Sequence, residues 1–242
     1  MPIKEITAEL LFAVAKHGQQ RPRNDEKQQP YLARQTHIHL NNKGLQSSAL
    51  PAGICPNLKA LYLFENKIEK LADLGALLQL THLYVQDNQI SSFDLAGLQN
   101  LRKLYINGNC LRSLAPLAQL HNLEELHAGS QRLSAGVSFD PAGTVLASLR
   151  GLRVLDLSNN NLESTEALVG CRALQTVNLA KNRLSSLASV APLLLAAQLV
   201  ELDCRGNSVS ESRKNVDSIV VTCPSSMRTV AQTRDWQPLS QC

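Results

Sequence analysis

Aromatic side chains make up only 4% of this 242-residue chain, as four tyrosines, four phenylalanines and one tryptophan. A core built on large rings is excluded, so any place where rings gather carries information. Long apolar runs are scarce too. The first, residues 10–15, follows Lys4, Glu5 and Glu9, too short to cross a bilayer and too acidic to its N-terminal side for a secretory signal. No membrane partner is expected. The six cysteines (Cys55, Cys110, Cys171, Cys204, Cys223 and Cys242) form no C-x-x-C pair and fall at irregular intervals, and there is no N-x-S/T sequon. This reads as reduced thiols in a cytoplasmic protein.

Charge of one sign is lacking as well. Lys and Arg number 24 against 20 Asp and Glu, for a net charge of +4, and only residues 16–27 look locally basic. Scattered bases of this kind do not make a phosphate track, so no nucleic acid is expected. Nor is there a Gly-rich phosphate loop, a G-x-S-x-G elbow, an H-E-x-x-H pair or a spaced Cys/His set. His37 and His39 share a strand face, but the next histidine, His82, lies two strands away, roughly 10 Å by strand spacing, too far for a shared metal. The expectation is no enzyme: no catalytic residue, metal, cofactor or small-molecule substrate.

What the chain does have is a repeat. The pattern L-x-x-L-x-L-x-x-N-x-L/I occurs eight times. The first copy has Ile38, Leu40 and Leu45, with Lys43 at the asparagine position. Leu58/Leu61/Leu63/Asn66/Ile68, Leu80/Leu83/Val85/Asn88/Ile90 and Leu101/Leu104/Ile106/Asn109/Leu111 follow. The fifth, Leu123/Leu126/Ala128/Gln131/Leu133, substitutes glutamine. The last three centre on Leu155/Leu157/Asn160, Val177/Leu179/Asn182 and Leu202/Cys204/Asn207. Equivalent leucines are 22 residues apart from 61 to 83, 21 from 83 to 104, and 29 from 126 to 155. Such a period predicts a solenoid of the α/β class: a leucine-rich repeat horseshoe of about eight repeats with a concave parallel β-sheet and short helices or 3₁₀ turns on the return side.

Each position has a physical reason. Residues two apart on a strand point to one face, so the L-x-L pair faces the core. The chain must then turn, leaving backbone amides and carbonyls inside a narrow coil, which an asparagine side chain can satisfy from both sides. Segments 71–80 and 190–199 are expected to supply the return turns. Solenoid ends need caps. Residues 1–35 read as an N-terminal capping helix (3–16) and a polar loop, 36–209 as the repeats with an insertion at about 134–151, and 210–242 as a C-terminal helical cap and tail containing Trp236.

Between the core leucines, strand position 5 reads His39, Tyr62, Tyr84, Tyr105, His127, Asp156, Asn178 and Asp203. Parallel strands lie about 4.8 Å apart, so these form a column in which three of the four tyrosines stand side by side, with Phe64 beside them. Cross-strand aromatic pairs can stabilise a sheet alone, but tyrosine is also a common interface anchor. The expected partner-binding residues are therefore His39, Tyr62, Phe64, Tyr84, Tyr105, His127, Asp156 and Asp203. Neighbouring charges are mixed in sign, which suits a folded protein partner.

The 22-residue length and its L-x-x-L-x-L-x-x-N-x-I sequence resemble the intracellular class of leucine-rich repeats, which includes the nuclear leucine-rich-repeat regulator of protein phosphatase 1, axonemal dynein light chain 1 and a splicing-particle A′ protein. Residues 125–164, ELHAGSQRLSAGVSFDPAGTVLASLRGLRVLDLSNNNLES, are most similar to the family of protein phosphatase 1 regulatory subunit 42, the testis leucine-rich repeat protein. The likeness covers about residues 3–230 and departs from the family at Ser208 and at Val230-Ala231. It implies a non-enzymatic scaffold that binds the protein phosphatase 1 catalytic subunit, through the column residues, at microtubule-based structures: cilium, basal body, axoneme or centrosome. The alternative is a purely structural axonemal or microtubule-associated docking protein that engages tubulin or dynein, akin to dynein light chain 1. A role in RNA-particle assembly is weaker, because balanced charge predicts little salt-dependent RNA affinity. A linear phosphatase-docking motif is approached only at Val137-Ser138-Phe139, with no basic residue just upstream.

Overall fold

Every L-x-L pair of the repeat lies in or beside a three-residue strand whose middle side chain is buried. A computed structural model describes residues 5–16, 21–132, 143–194, 196–222 and 229–231. These divide into two compact units, residues 1–110 and 111–242.

The first unit begins with helix α1 (Ala8–Ala15), whose N-cap Thr7 accepts a hydrogen bond from the amide of Leu10 at 3.2 Å. A threonine here satisfies one of the amides that a helix start leaves without an intrahelical partner. The stretch read as a polar loop also holds a second helix, α2 (Gln28–Ala33). Its Tyr31, the tyrosine outside the column, is fully buried and meets Phe12 of α1 edge-on, with centroids 5.5 Å apart. Arg34 anchors the end of α2 by pairing with Glu26 at 2.7 and 2.8 Å.

Strands β1 (His37–His39), β2 (Ala60–Tyr62), β4 (His82–Tyr84) and β6 (Lys103–Tyr105) are the repeat strands; β3 (Lys70–Leu71) and β5 (Ser92–Phe93) pair with each other on the return side. The repeat strands are parallel and in register, with Ile38 opposite Leu61, Leu61 opposite Leu83 and Leu83 opposite Leu104. Those four side chains and Leu40, Leu63, Val85 and Ile106 are buried at 0–1% exposure. Burying a leucine stabilises by about 1.5–3 kcal/mol, and the 22-residue spacing repeats that gain every turn of the coil.

The second unit carries β7 (Glu125–His127), β8 (Val154–Asp156), β9 (Thr176–Asn178), β10 (Glu201–Asp203) and β11 (Thr229–Ala231), again parallel in that order. Its return side holds 3₁₀ turns at Ala115–Gln119 and Glu166–Leu168, with helices α3 (Gly143–Ser148) and α4 (Leu187–Leu194). A 3₁₀ turn at Ser208–Ser210 and helix α5 (Arg213–Thr222) follow. Beyond α5, β11 sets Val230 opposite Leu202 and Ala231 opposite Asp203, so the sheet resumes where the sequence pattern had stopped.

One return segment differs from expectation. Residues 71–80 form neither a helix nor a 3₁₀ run. They make successive turns in which the amide of Leu77 bonds the carbonyl of Leu74 and that of Leu80 bonds Leu77, each at 2.9 Å. Packing is close here: a Cβ on Gly75 would lie 2.7 Å from the Ala96 carbonyl oxygen. Only glycine allows that approach, and it favours turns over helix. The described part of the 134–151 insertion, residues 143–151, holds α3, which packs against the 3₁₀ turns at Ala115–Gln119 and Glu166–Leu168; Leu146 of α3 is buried, as are Leu149 and Leu152 after it. Leu133, Phe139 and Trp236 lie outside the described residues.

The asparagines act as the pattern predicts. Asn66 Oδ1 accepts from the amides of Lys43 and Leu45, both at 3.0 Å, and its Nδ2 donates to the carbonyls of Leu40 and Leu63. Asn88, Asn109, Asn182 and Asn207 likewise donate to carbonyls of their own and the preceding repeat. Gln131 substitutes for asparagine, accepting from Leu111 and donating to Ala128.

A further regularity escaped the sequence pattern. In all eight repeats the residue before the asparagine position is left-handed: Asn42, Glu65, Asp87, Gly108, Ser130, Asn159, Lys181 and Gly206 have φ between 54° and 69°. At Asn42, Glu65 and Asp87, and again at Ser130, Asn159 and Lys181, the amide of this residue bonds the next repeat. Five of the eight are Asn, Asp or Gly, the residues that tolerate this conformation, so composition at this position was an available signal.

Candidate functional site

Strand positions 3, 5 and 7 alternate with the core side chains and face outward. In the first unit, position 5 forms a continuous stack of rings. His39 and Tyr62 have centroids 4.1 Å apart at 11°, Tyr62 and Tyr84 4.6 Å at 3°, and Tyr84 and Tyr105 4.7 Å at 28°. The separations match the strand spacing, so the in-register sheet itself sets the stack. His82 joins from position 3, its ring 6.5 Å from that of Tyr84. His39 is exposed, and the three tyrosines and Phe64 are half-buried. Partial desolvation of its ring, and then the neighbouring His37, lower the pKa of His39.

The second unit brings together different members of the expected set. His127 Nε2 lies 2.9 Å from Glu125 Oε1, and Nδ1 lies 3.8 Å from Asp156 Oδ2. Burial opposes protonation, but these two carboxylates outweigh it and raise the His127 pKa. Asp156 is lowered in turn: burial pushes it up, while His127 and Ser158 hold it down more strongly. Asp156, Asn178 and Asp203 each accept the amide two residues on, from Ser158 at 2.9 Å and from Ala180 and Arg205 at 3.0 Å. Such a side-chain turn closes the strand end locally. Asp203 also grips the Arg205 guanidinium, at 2.6 Å at its shortest. The acidic members of the column therefore brace their own strands, whereas the tyrosines contact one another.

The mixed charge expected of this face separates once the strand columns are known. Positions 3, 5 and 7 in the first unit are His37, His39, Asn41, Ala60, Tyr62, Phe64, His82, Tyr84, Gln86, Lys103, Tyr105 and Asn107, with no carboxylate among them. The equivalent positions in the second unit hold Glu125, Asp156, Glu201 and Asp203 beside His127 and Arg205. The sequence reading puts His37 on the strand face of His39 and counts Lys103 among the charges of this face, but it names neither of them, nor His82, as a partner-binding residue.

Among the described residues no group of three or more His, Cys, Asp or Glu side chains is placed to hold a metal ion. No helix there is long and apolar enough to cross a membrane. Burial raises the Cys55 and Cys171 thiols to about 11, which leaves them protonated and poorly nucleophilic.

The family described as Leucine Rich repeats (2 copies) matches residues 78–119 and 150–193, the segments whose strands and turns have just been described. These segments are leucine-rich repeats. Among solved structures this leucine-rich repeat chain is similar to an internalin C2 (inlC2) of Listeria monocytogenes, with a TM-score of 0.66 and 22% identity, covering 92% of each chain. It is similar as well to an internalin (inlF) of the same organism, with a TM-score of 0.63 and 22% identity, over 93% of this chain and 61% of that one. Both likenesses concern the fold alone. Among curated proteins, the alpha subunit of rat (Rattus norvegicus) geranylgeranyl transferase type-2 is 34% identical over 112 residues, 46% of this chain. The match spans only 19% of that relative's length.

Proposed function

We propose that this leucine-rich repeat protein is a non-enzymatic scaffold that docks a protein partner on the ring-bearing face of its first unit. The observation that carries the reading is the His39–Tyr62–Tyr84–Tyr105 stack. The core is complete without it: Leu61, Leu83 and Leu104 are each fully buried behind those strands. Half-exposed tyrosines concentrated on one face, in a chain with 4% aromatics, match the residue preference of interface anchors.

The partner we propose is the catalytic subunit of protein phosphatase 1, held at microtubule-based structures. The resemblance of residues 125–164 to the regulatory subunit 42 family supports this identity. Calorimetric titration of the phosphatase catalytic subunit into the protein tests it, beside a Tyr62→Ala/Tyr84→Ala/Tyr105→Ala variant shown by its melting curve to be folded. Micromolar or tighter binding that the variant loses supports the reading. Absence of binding by the wild type sinks the phosphatase identity and directs attention to polymerised microtubules and axonemal proteins.

A further inference from the structure

We infer that the ring stack docks an acidic segment of a protein partner, one bearing carboxylates interspersed with apolar side chains and seated toward the strand-start side of the stack. The inference rests on the docking-face reading and adds the chemistry of the occupant.

Stack geometry supplies the first argument. Tyr62 is sandwiched between His39 and Tyr84, and Tyr84 between Tyr62 and Tyr105, all within 4.1–4.7 Å. Both faces of the two central rings are therefore covered. A Lys or Arg that docks on tyrosine does so over the ring face, where the quadrupole is negative, and the stack leaves that surface closed at its centre. What it offers outward is ring edges, the positive rim of the quadrupole, which attracts oxygen acceptors and the faces of other rings.

Charge supplies the second. The twelve outward positions of these strands contain no carboxylate. At the strand starts stand His37, Lys59, His82 and Lys103; at the strand ends stand Glu65 and Asp87, in the left-handed turns, with Lys43 and Lys67 further along the chain. A negative segment is thus favoured on the strand-start side, where these positions hold no acid, over the strand-end side, where Glu65 and Asp87 offset Lys43 and Lys67. Such complementarity sets orientation and association rate more than raw affinity. Covered ring faces also leave no platform for unstacked nucleobases between the central tyrosines, which single-strand binding requires.

Carbon-13 labelling of the tyrosine rings alone gives four sites, of which fully buried Tyr31 is an internal control. The labelled full-length chain is titrated with a soluble peptide repeating Glu-Glu-Leu-Phe, with its Lys-Lys-Leu-Phe counterpart and with oligouridylate. The acidic peptide is expected to move the Tyr62, Tyr84 and Tyr105 resonances and leave Tyr31 in place. Exposed Lys59→Glu should weaken that binding about fivefold and Glu65→Lys should tighten it by a similar factor. An equal response to the basic peptide, a response to oligouridylate alone, or ladder resonances unmoved by the acidic peptide would overturn the inference. Shifts with the acidic peptide but no phosphatase binding would remove only the phosphatase identity. Phosphatase binding indifferent to both charge reversals would do the opposite.

Discussion

The ring of Tyr62 lies parallel to that of Tyr84, 4.6 Å away and only 3° from the same orientation, because Leu61 and Leu83 beneath them are opposite one another in the sheet. Stacking and core register are therefore one constraint. A double-mutant cycle of Tyr62→Ala and Tyr84→Ala in chemical denaturation should give a coupling of about 0.5–1.5 kcal/mol. Strictly additive losses would show that the rings stabilise nothing by touching.

Asn182 bridges two repeats of the second unit through both ends of its amide. Its Oδ1 accepts from Asn160 and Leu162, and its Nδ2 donates to Leu157 and Leu179, all at 2.9–3.0 Å. Asn182→Ala would leave buried backbone groups without partners, at a cost of about 1–3 kcal/mol each before water relieves any of them. We expect a loss of at least about 2 kcal/mol in denaturant titration, whereas truncating exposed Arg183 next to it should change stability by less than about 0.5 kcal/mol.

The left-handed turn residues make a paired prediction. Gly206→Ala places a Cβ on a residue with φ of +69° and should destabilise by about 1–2 kcal/mol. Lys181→Gly relieves the same conformation, φ 56°, against the larger chain entropy of glycine. Its effect should be near zero or stabilising, and a loss as large as that of Gly206→Ala would refute the account. Thermal melts of the two variants decide the matter.

The Glu125–His127–Asp156 cluster predicts a pH window. A histidine with a raised folded pKa contributes stability that is complete below its ordinary value of 6.5 and disappears as pH climbs through the folded value. An aspartate with a lowered pKa contributes above its ordinary 3.8 and loses that contribution as pH falls through the folded value. Both act together between those two pH values. The melting-temperature difference between wild type and His127→Gln should be largest at about pH 5–6 and shrink toward pH 8. A difference independent of pH would leave His127 only a packing role.

Much of this molecule is legible one repeat at a time. A period of two along a strand separates Leu61 and Leu63 from Tyr62, and the recurrence of that triplet every 21 or 22 residues carries the separation into neighbouring coils. Core, asparagine bridges and tyrosine column all follow from those two periods. Helix α2 was harder to see, because Pro30 and flanking glutamines disguise a short helix whose anchor, Tyr31, is recognisable only against Phe12. Strand β11 carries no leucine, and only its pairing with β10 marks it as a repeat strand.

What the amino-acid sequence determined by itself is the class of fold and which side chains share a face, since both depend on local geometry repeated along the chain. Tertiary structure alone decided how those face residues meet. The closing of the tyrosine faces, the capture of His127 between Glu125 and Asp156 and the turning of Asp156 and Asp203 onto their own backbone all depend on how side chains are oriented once strands distant in sequence lie about 5 Å apart. Ring orientation and charge pairing act at that range, and no pattern of residue types along the chain encodes them.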